Sequence, residues 1–76
     1  MNMININVMN AVRTISKAGK GAQFCAKDVA GLCGEKIYTI RRNLVKMEKK
    51  GMLHSDDNYW CGDTKYYSIV ADDLLQ

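Results

Sequence analysis

Ile37, Ile40, Leu44 and Met47 step by three, four and three residues, and Gly51 follows them. Apolar residues at that spacing fall on one side of an α-helix, so residues 35–50 are expected to form a helix with a single buried seam. Glycine just past the last periodic residue is a usual stopping place for such a helix. A lone helix cannot bury its own seam. In a chain of 76 residues the covering surface has to come from one small domain with one core, with no room for a cleft between two lobes.

The remaining glycines punctuate the chain, which contains no proline. Ile4, Val8, Ala11, Val12 and Ile15 recur at helical steps and predict a first helix ending near Lys17 or Ala18, with Asn2 or Asn5 as its cap. Gln23 and Phe24 read as a short extended piece. The segment from Cys25 to Leu32 reads as a two-turn helix with Ala26, Val29, Ala30 and Leu32 inward. A helix that short needs partners, and Cys33 and Gly34 turn the chain toward the third helix. Beyond Gly51, Met52 and Leu53 open one strand and residues 65–70 alternate as a second. The polar stretch 56–63, including Gly62, is expected to be the loop between them. His54 alternates with Leu53 and should face solvent. Residues 71–76 form an acidic tail, which leaves 1–70 as the domain.

Dividing the chain after Ser55 separates ten Lys/Arg and three Asp/Glu from one Lys and five Asp. Seven of the ten early cations lie between Lys27 and Lys50. On the third helix, at 100° per residue, Tyr38, Thr39, Arg42, Lys46 and Lys49 occupy the side opposite the apolar seam. Such a strip suits a polyanion, because each cation near a phosphate releases condensed counterions; a solvated helix face is the other reading. Arg41 and Glu48 flank the seam and are expected to meet groups at the edge of the core.

Cys25, Cys33 and Cys61 are an odd set and read as reduced thiols. With His54 they have seven, twenty and six residues between neighbours, without the short knuckles that hold zinc, so no metal is expected. No nucleophile and base occur at a recognisable spacing and no glycine-rich phosphate loop is present. Neither an enzyme nor a cofactor is therefore expected. The absence of a long apolar run and of a signal-like start predicts a cytoplasmic protein that does not associate with a membrane.

From Phe24 to Leu53 the sequence FCAKDVAGLCGEKIYTIRRNLVKMEKKGML resembles the core of bacterial winged helix-turn-helix regulators, and residues 65–69 look like their returning wing strand. Small Ala26 and Ala30 suit close helix packing, Gly34 suits the turn, and Leu44, Met47, Gly51 and Leu53 suit the exit into the hairpin. The size is similar to that of stand-alone regulators of fimbrial operons and of small phage or plasmid regulators. The resemblance implies an α+β winged helix-turn-helix, three helices followed by a β-hairpin wing. It further implies binding to double-stranded DNA and regulation of transcription, with helix 35–50 in the major groove.

On that resemblance, Tyr38, Thr39 and Arg42 are candidates for base edges, Arg42 with the fork that pairs guanine. Lys46 and Lys49 would meet phosphates, Lys27 would hold another at the start of the second helix, and Lys36 would add a further contact. Two positions depart from the family. Cys25 stands where a Ser or Thr cap is common, and Asp56, Asp57 and Asp63 make the wing acidic, so its tip should stay clear of a phosphate backbone. Tyr59 and Trp60 could cover their own core, stack on DNA, or fill a partner's pocket. The alternative function is accordingly a winged-helix adaptor that binds protein through this acidic, aromatic wing. Met1, Met3 and Met9 with Ile6 either pack inward or form a surface for a homodimer; a second regulatory protein is the other candidate partner.

Overall fold

A computed structural model describes residues 4–17, 22–62 and 64–70, without the side chains of residues 57–61 and 64. The chain runs α1 (Ile6–Ser16), β1 (Gln23–Cys25), α2 (Ala26–Cys33), α3 (Ile37–Lys49), β2 (Leu53–Cys61) and β3 (Thr64–Ile69). The strands form one antiparallel sheet in the order β1-β3-β2. Three helices against a three-stranded antiparallel sheet make an α+β fold whose layout is compatible with a winged helix. The acidic tail 71–76 lies outside the described residues.

α1 begins where Asn5 caps it: the side-chain oxygen accepts from the N–H of Asn7 at 2.8 Å and of Val8 at 3.4 Å. Its inward stripe is Val8, Ala11 and Val12, with Ile4 and Ile15 packed at the margin of the core. Ser16 is also buried, one turn beyond Val12, and its hydroxyl donates to the Arg13 carbonyl at 2.6 Å. That internal bond satisfies a polar group which helical spacing carries onto the buried stripe.

α2 is short, and its start is held by a charge. The carboxylate of Asp28 accepts from the Cys25 N–H at 2.9 Å, one half of a capping box in which the Cys25 sulfur faces the Asp28 N–H. The weak thiol cap is thus compensated three residues downstream. Ala26 and Val29 are buried, whereas Leu32, expected inward, is 54% exposed. It follows Val29 by 300°, enough to turn it past the edge of so narrow a helix's contact. Gly34 adopts φ 70°, where a side chain would be strained, and its N–H closes the helix on the Ala30 carbonyl at 3.1 Å.

α3 starts at Ile37, two residues later than the expected range 35–50, because Gly34 is left-handed and Lys36 is extended. Ile40, Leu44 and Met47 are fully buried, and Ile37, in the first turn, is 39% exposed. Gly51, at φ 81°, lets the chain reverse, with its N–H on the Glu48 carbonyl at 2.9 Å. The seam meets Val8, Val12, Phe24, Val29, Leu53 and Ile69 in one cluster. Each fully buried side chain of this size contributes about 1.5–3 kcal/mol.

β3 supplies the sheet's inner face through Tyr67 and Ile69, both buried, with Tyr66 and Ser68 on the other side. β1 pairs with it over Gln23–Ser68, Phe24–Tyr67 and Cys25–Tyr66, which brings the Phe24 and Tyr67 rings to 6.2 Å. On its other edge β3 pairs with β2, Leu53 opposite Ile69 and Asp56 opposite Tyr66. The stretch 56–61, expected as loop, is strand. Polarity there does not oppose pairing, because the ladder uses main-chain groups. The register slips between Asp56 and Trp60, where β2 advances four residues while β3 advances one, the signature of an enlarged bulge. The turn itself is confined to the neighbourhood of Gly62, at φ 62°.

Candidate nucleic-acid interface

Burying Ile40, Leu44 and Met47 fixes where the rest of α3 points. Tyr38, Arg42 and Lys49 are exposed, and Thr39 and Lys46 are half-buried. Arg42, Lys46 and Lys49 line one open concavity of about 500 Å³ together with Val45 and Lys50. The spacing singles out the first three. Val45, an apolar residue 41% exposed among four cations, and Lys50 are additions, although the same 100° step puts Val45 about 40° from Lys49 and about 60° from Arg42.

Tyr38 and Arg42, one turn apart, stack: the guanidinium carbon lies 5.6 Å from the ring centroid, within the range of a cation–π contact. The ring is 67% exposed, so the pair sits on the surface with its face open. Thr39 is drawn inward instead. Its carbonyl accepts from Asn43 Nδ2 at 2.7 Å, and Asn43 Oδ1 accepts from the Asn5 N–H at the same distance. Asn43 is 6% exposed, a buried amide joining the start of α1 to the middle of α3. Sequence periodicity gives no sign of it, since its partner is 38 residues away.

The opposite flank of α3 is tied to the hairpin. Glu48 accepts from the Ser55 N–H at 3.1 Å and from the Ser55 hydroxyl. Burial pushes the Tyr67 hydroxyl above its usual pKa, the negative charge of Glu48 adds to the rise, and Arg41 acts the other way. Glu48 therefore meets Ser55 at the edge of the core, as its position beside the seam suggests, while Arg41 is exposed.

Lys36 occupies the N-cap of α3 with no side-chain cap bond, and the first turn carries no acidic residue. The positive end of the helix is left unneutralised by its own side chains. Lys27, at the start of α2, is exposed and stands outside the concavity. Its Nζ lies 3.1 Å from where a Cβ would sit on Gly62, which sets it beside the hairpin turn. His54 is exposed. The side chains of Tyr59, Trp60 and Cys61, and residue Asp63, lie outside the described residues. Among the described residues no three metal-liganding side chains cluster, and no helix is long and apolar enough to cross a membrane.

The site is thus an open, cationic face on an exposed helix, built over a rigid apolar seam. No family model, curated protein or solved structure matches the chain.

Proposed function

We propose that the protein is a winged helix-turn-helix regulator of transcription that binds double-stranded DNA through α3. The observation that carries this reading is the concavity where Arg42, Lys46, Lys49 and Lys50 converge on one exposed face. A convergent set of fixed cations matches the repeating charge of a duplex, whereas scattered lysines would not. Tyr38 and Arg42 stand at the N-terminal half of the helix, the half that in helix-turn-helix docking meets base edges. Lys46, Lys49 and Lys50, farther along, are suited to phosphates. Lys36 and the uncapped amides of the first turn add positive potential, and Lys27 extends it toward the hairpin. Occupancy of a promoter then alters recruitment of polymerase or of another regulator, and no cofactor is needed. The adaptor alternative rests on the acidic, aromatic wing, and the side chains of Tyr59 and Trp60 lie outside the described residues.

Titration into mixed-sequence duplex DNA over a salt series, with an Arg42→Ala/Lys46→Ala variant alongside, tests the reading. The wild type should bind with a steep salt dependence, and the variant should lower the slope of log K against log salt by about 1–2. Absence of binding at low salt would make the cationic face an ordinary solvated surface.

A further inference from the structure

We propose that Val45 is a specificity residue, seating the 5-methyl group of a thymine in the major groove one or two base pairs from the base that Arg42 reads. The inference deepens the proposed DNA-binding reading and rests on it.

Tyr38, Arg42, Val45 and Lys49 are all exposed and follow one another on α3 at i, i+4, i+7 and i+11. At 100° per residue they fall within an arc of about 60°, almost diametrically opposite Ile40, Leu44 and Met47. They form the line of α3 that stands farthest from the core, and so the line that reaches deepest into a groove. Tyr38, Arg42 and Lys49 can each donate a hydrogen bond. Val45 cannot, yet it stands between Arg42 and Lys49 along the axis, 41% exposed, in a concavity otherwise lined by Arg42, Lys46, Lys49 and Lys50.

Phosphates do not account for a valine at this place. A lysine there would add to the attraction for a polyanion and would suit the helix better, because β-branched side chains lose rotamer freedom in a helix. An apolar protein surface laid on Val45 would have to desolvate the cations around it. The major groove meets both features at once: phosphates run along its two rims, within reach of the cations, and the thymine 5-methyl supplies an apolar group on its floor. The stiffness that makes valine a poor helix former then favours binding, since a side chain held in one rotamer has little freedom left to lose. Val45 lies about 4.5 Å beyond Arg42 along the helix axis. The spacing between successive nucleotides of a strand is about 3.4 Å, so a helix lying along the groove sets the two contacts one or two base pairs apart.

The probe is a duplex enriched by the purified protein from a random-sequence library, with each thymine replaced in turn by deoxyuridine. That replacement keeps every hydrogen-bonding group of the base and removes only the methyl. Wild type should lose about fourfold in affinity at one thymine, the effect of withdrawing one buried methyl-sized group. This thymine should lie within two base pairs of the position where Arg42→Ala loses discrimination. Val45→Ala, which favours the helix, should bind the thymine and uracil duplexes alike. Val45→Lys should bind mixed-sequence duplex more tightly than wild type and lose the thymine preference as well. A selected site with no thymine there, equal wild-type binding to every deoxyuridine duplex, or an undiminished thymine preference in Val45→Ala would overturn the proposal and leave DNA binding in place. So would tight binding to mixed duplex with no sequence enriched. Self-association that Val45→Ala abolishes, with the thymine preference unchanged, would assign the valine to a contact between copies and overturn it too. Failure of wild type to bind any duplex at low salt would remove the DNA reading and this inference with it.

Discussion

Arg42 holds its guanidinium over the Tyr38 ring, 5.6 Å from the centroid, so the side chain best suited to a guanine is already oriented before any ligand arrives. Loss of the ring should therefore act through Arg42. Tyr38→Ala is expected to weaken discrimination at the same base position as Arg42→Ala, which itself costs about 1–3 kcal/mol there. Tyr38→Phe keeps the π face and should retain most of it. Binding measured on a panel of single-base variants of a selected site would check this; independent positions for the two alanine variants would separate the residues.

Asn43 is the buried polar residue with the most to lose. Asn43→Ala leaves the Asn5 N–H without its partner, at a cost of about 1–3 kcal/mol. Asn43→Leu should not restore stability, since it supplies volume and no acceptor. Urea denaturation followed by circular dichroism reads both, and an Asn43→Leu protein as stable as wild type would show that the bond contributes nothing net.

Asp28 completes a cap that Cys25 alone makes poorly. Asp28→Ala should cost about 0.5–2 kcal/mol, and Asp28→Asn, which keeps an acceptor oxygen, should cost less. Amide hydrogen exchange at the first turn of α2 should accelerate in the alanine variant. Equal protection in both variants would mean that packing of Ala26 and Val29 fixes this helix by itself.

The raised pKa of Tyr67 has a definite sign. Its neutral form is favoured in the folded protein by burial and by Glu48, so this contribution to stability is fully present below the unfolded-state value of about 10. It is lost as pH rises through that value toward the higher folded one. Tyr67→Phe should consequently flatten the alkaline limb of the stability curve relative to wild type. Denaturation midpoints between about pH 8 and 11 test it, and parallel curves for the two proteins would contradict it.

Much of this fold is legible in the sequence because one signal, spacing of apolar residues, is read directly by the core. Val8 and Val12, Val29, Ile40 with Leu44 and Met47, and Tyr67 with Ile69 all face inward as their spacing requires. Gly34, Gly51 and Gly62 each sit where the backbone turns left-handed. What spacing does not carry is partnership. β1 has only three residues, too few to show an alternation, and its place in the sheet comes from pairing with a strand some forty positions later. Asn43 lies about 40° from Met47 around the helix, beside the seam, yet nothing in the spacing names Asn5 as its partner. Residues 56–61 read as loop because their side chains are polar, while the ladder is written in main-chain atoms. At the candidate site, helical arithmetic brings Arg42, Lys46 and Lys49 together, and the fold adds Lys50 and the bare Val45.

α3 is fastened on both flanks by directional bonds, Asn43 to the Asn5 amide on one side and Glu48 to Ser55 on the other. Oily contacts alone permit a cylinder to roll about its axis; two lateral hydrogen bonds fix its azimuth. At about 6 Å from the axis a roll of about 30° displaces a side-chain tip by about 3 Å, close to the roughly 3.4 Å between successive nucleotides of a strand. Under the proposed function, frame selection along a duplex is therefore set in part by two inward-turned residues, and a change at either would be read out as a shifted footprint rather than as a weaker one.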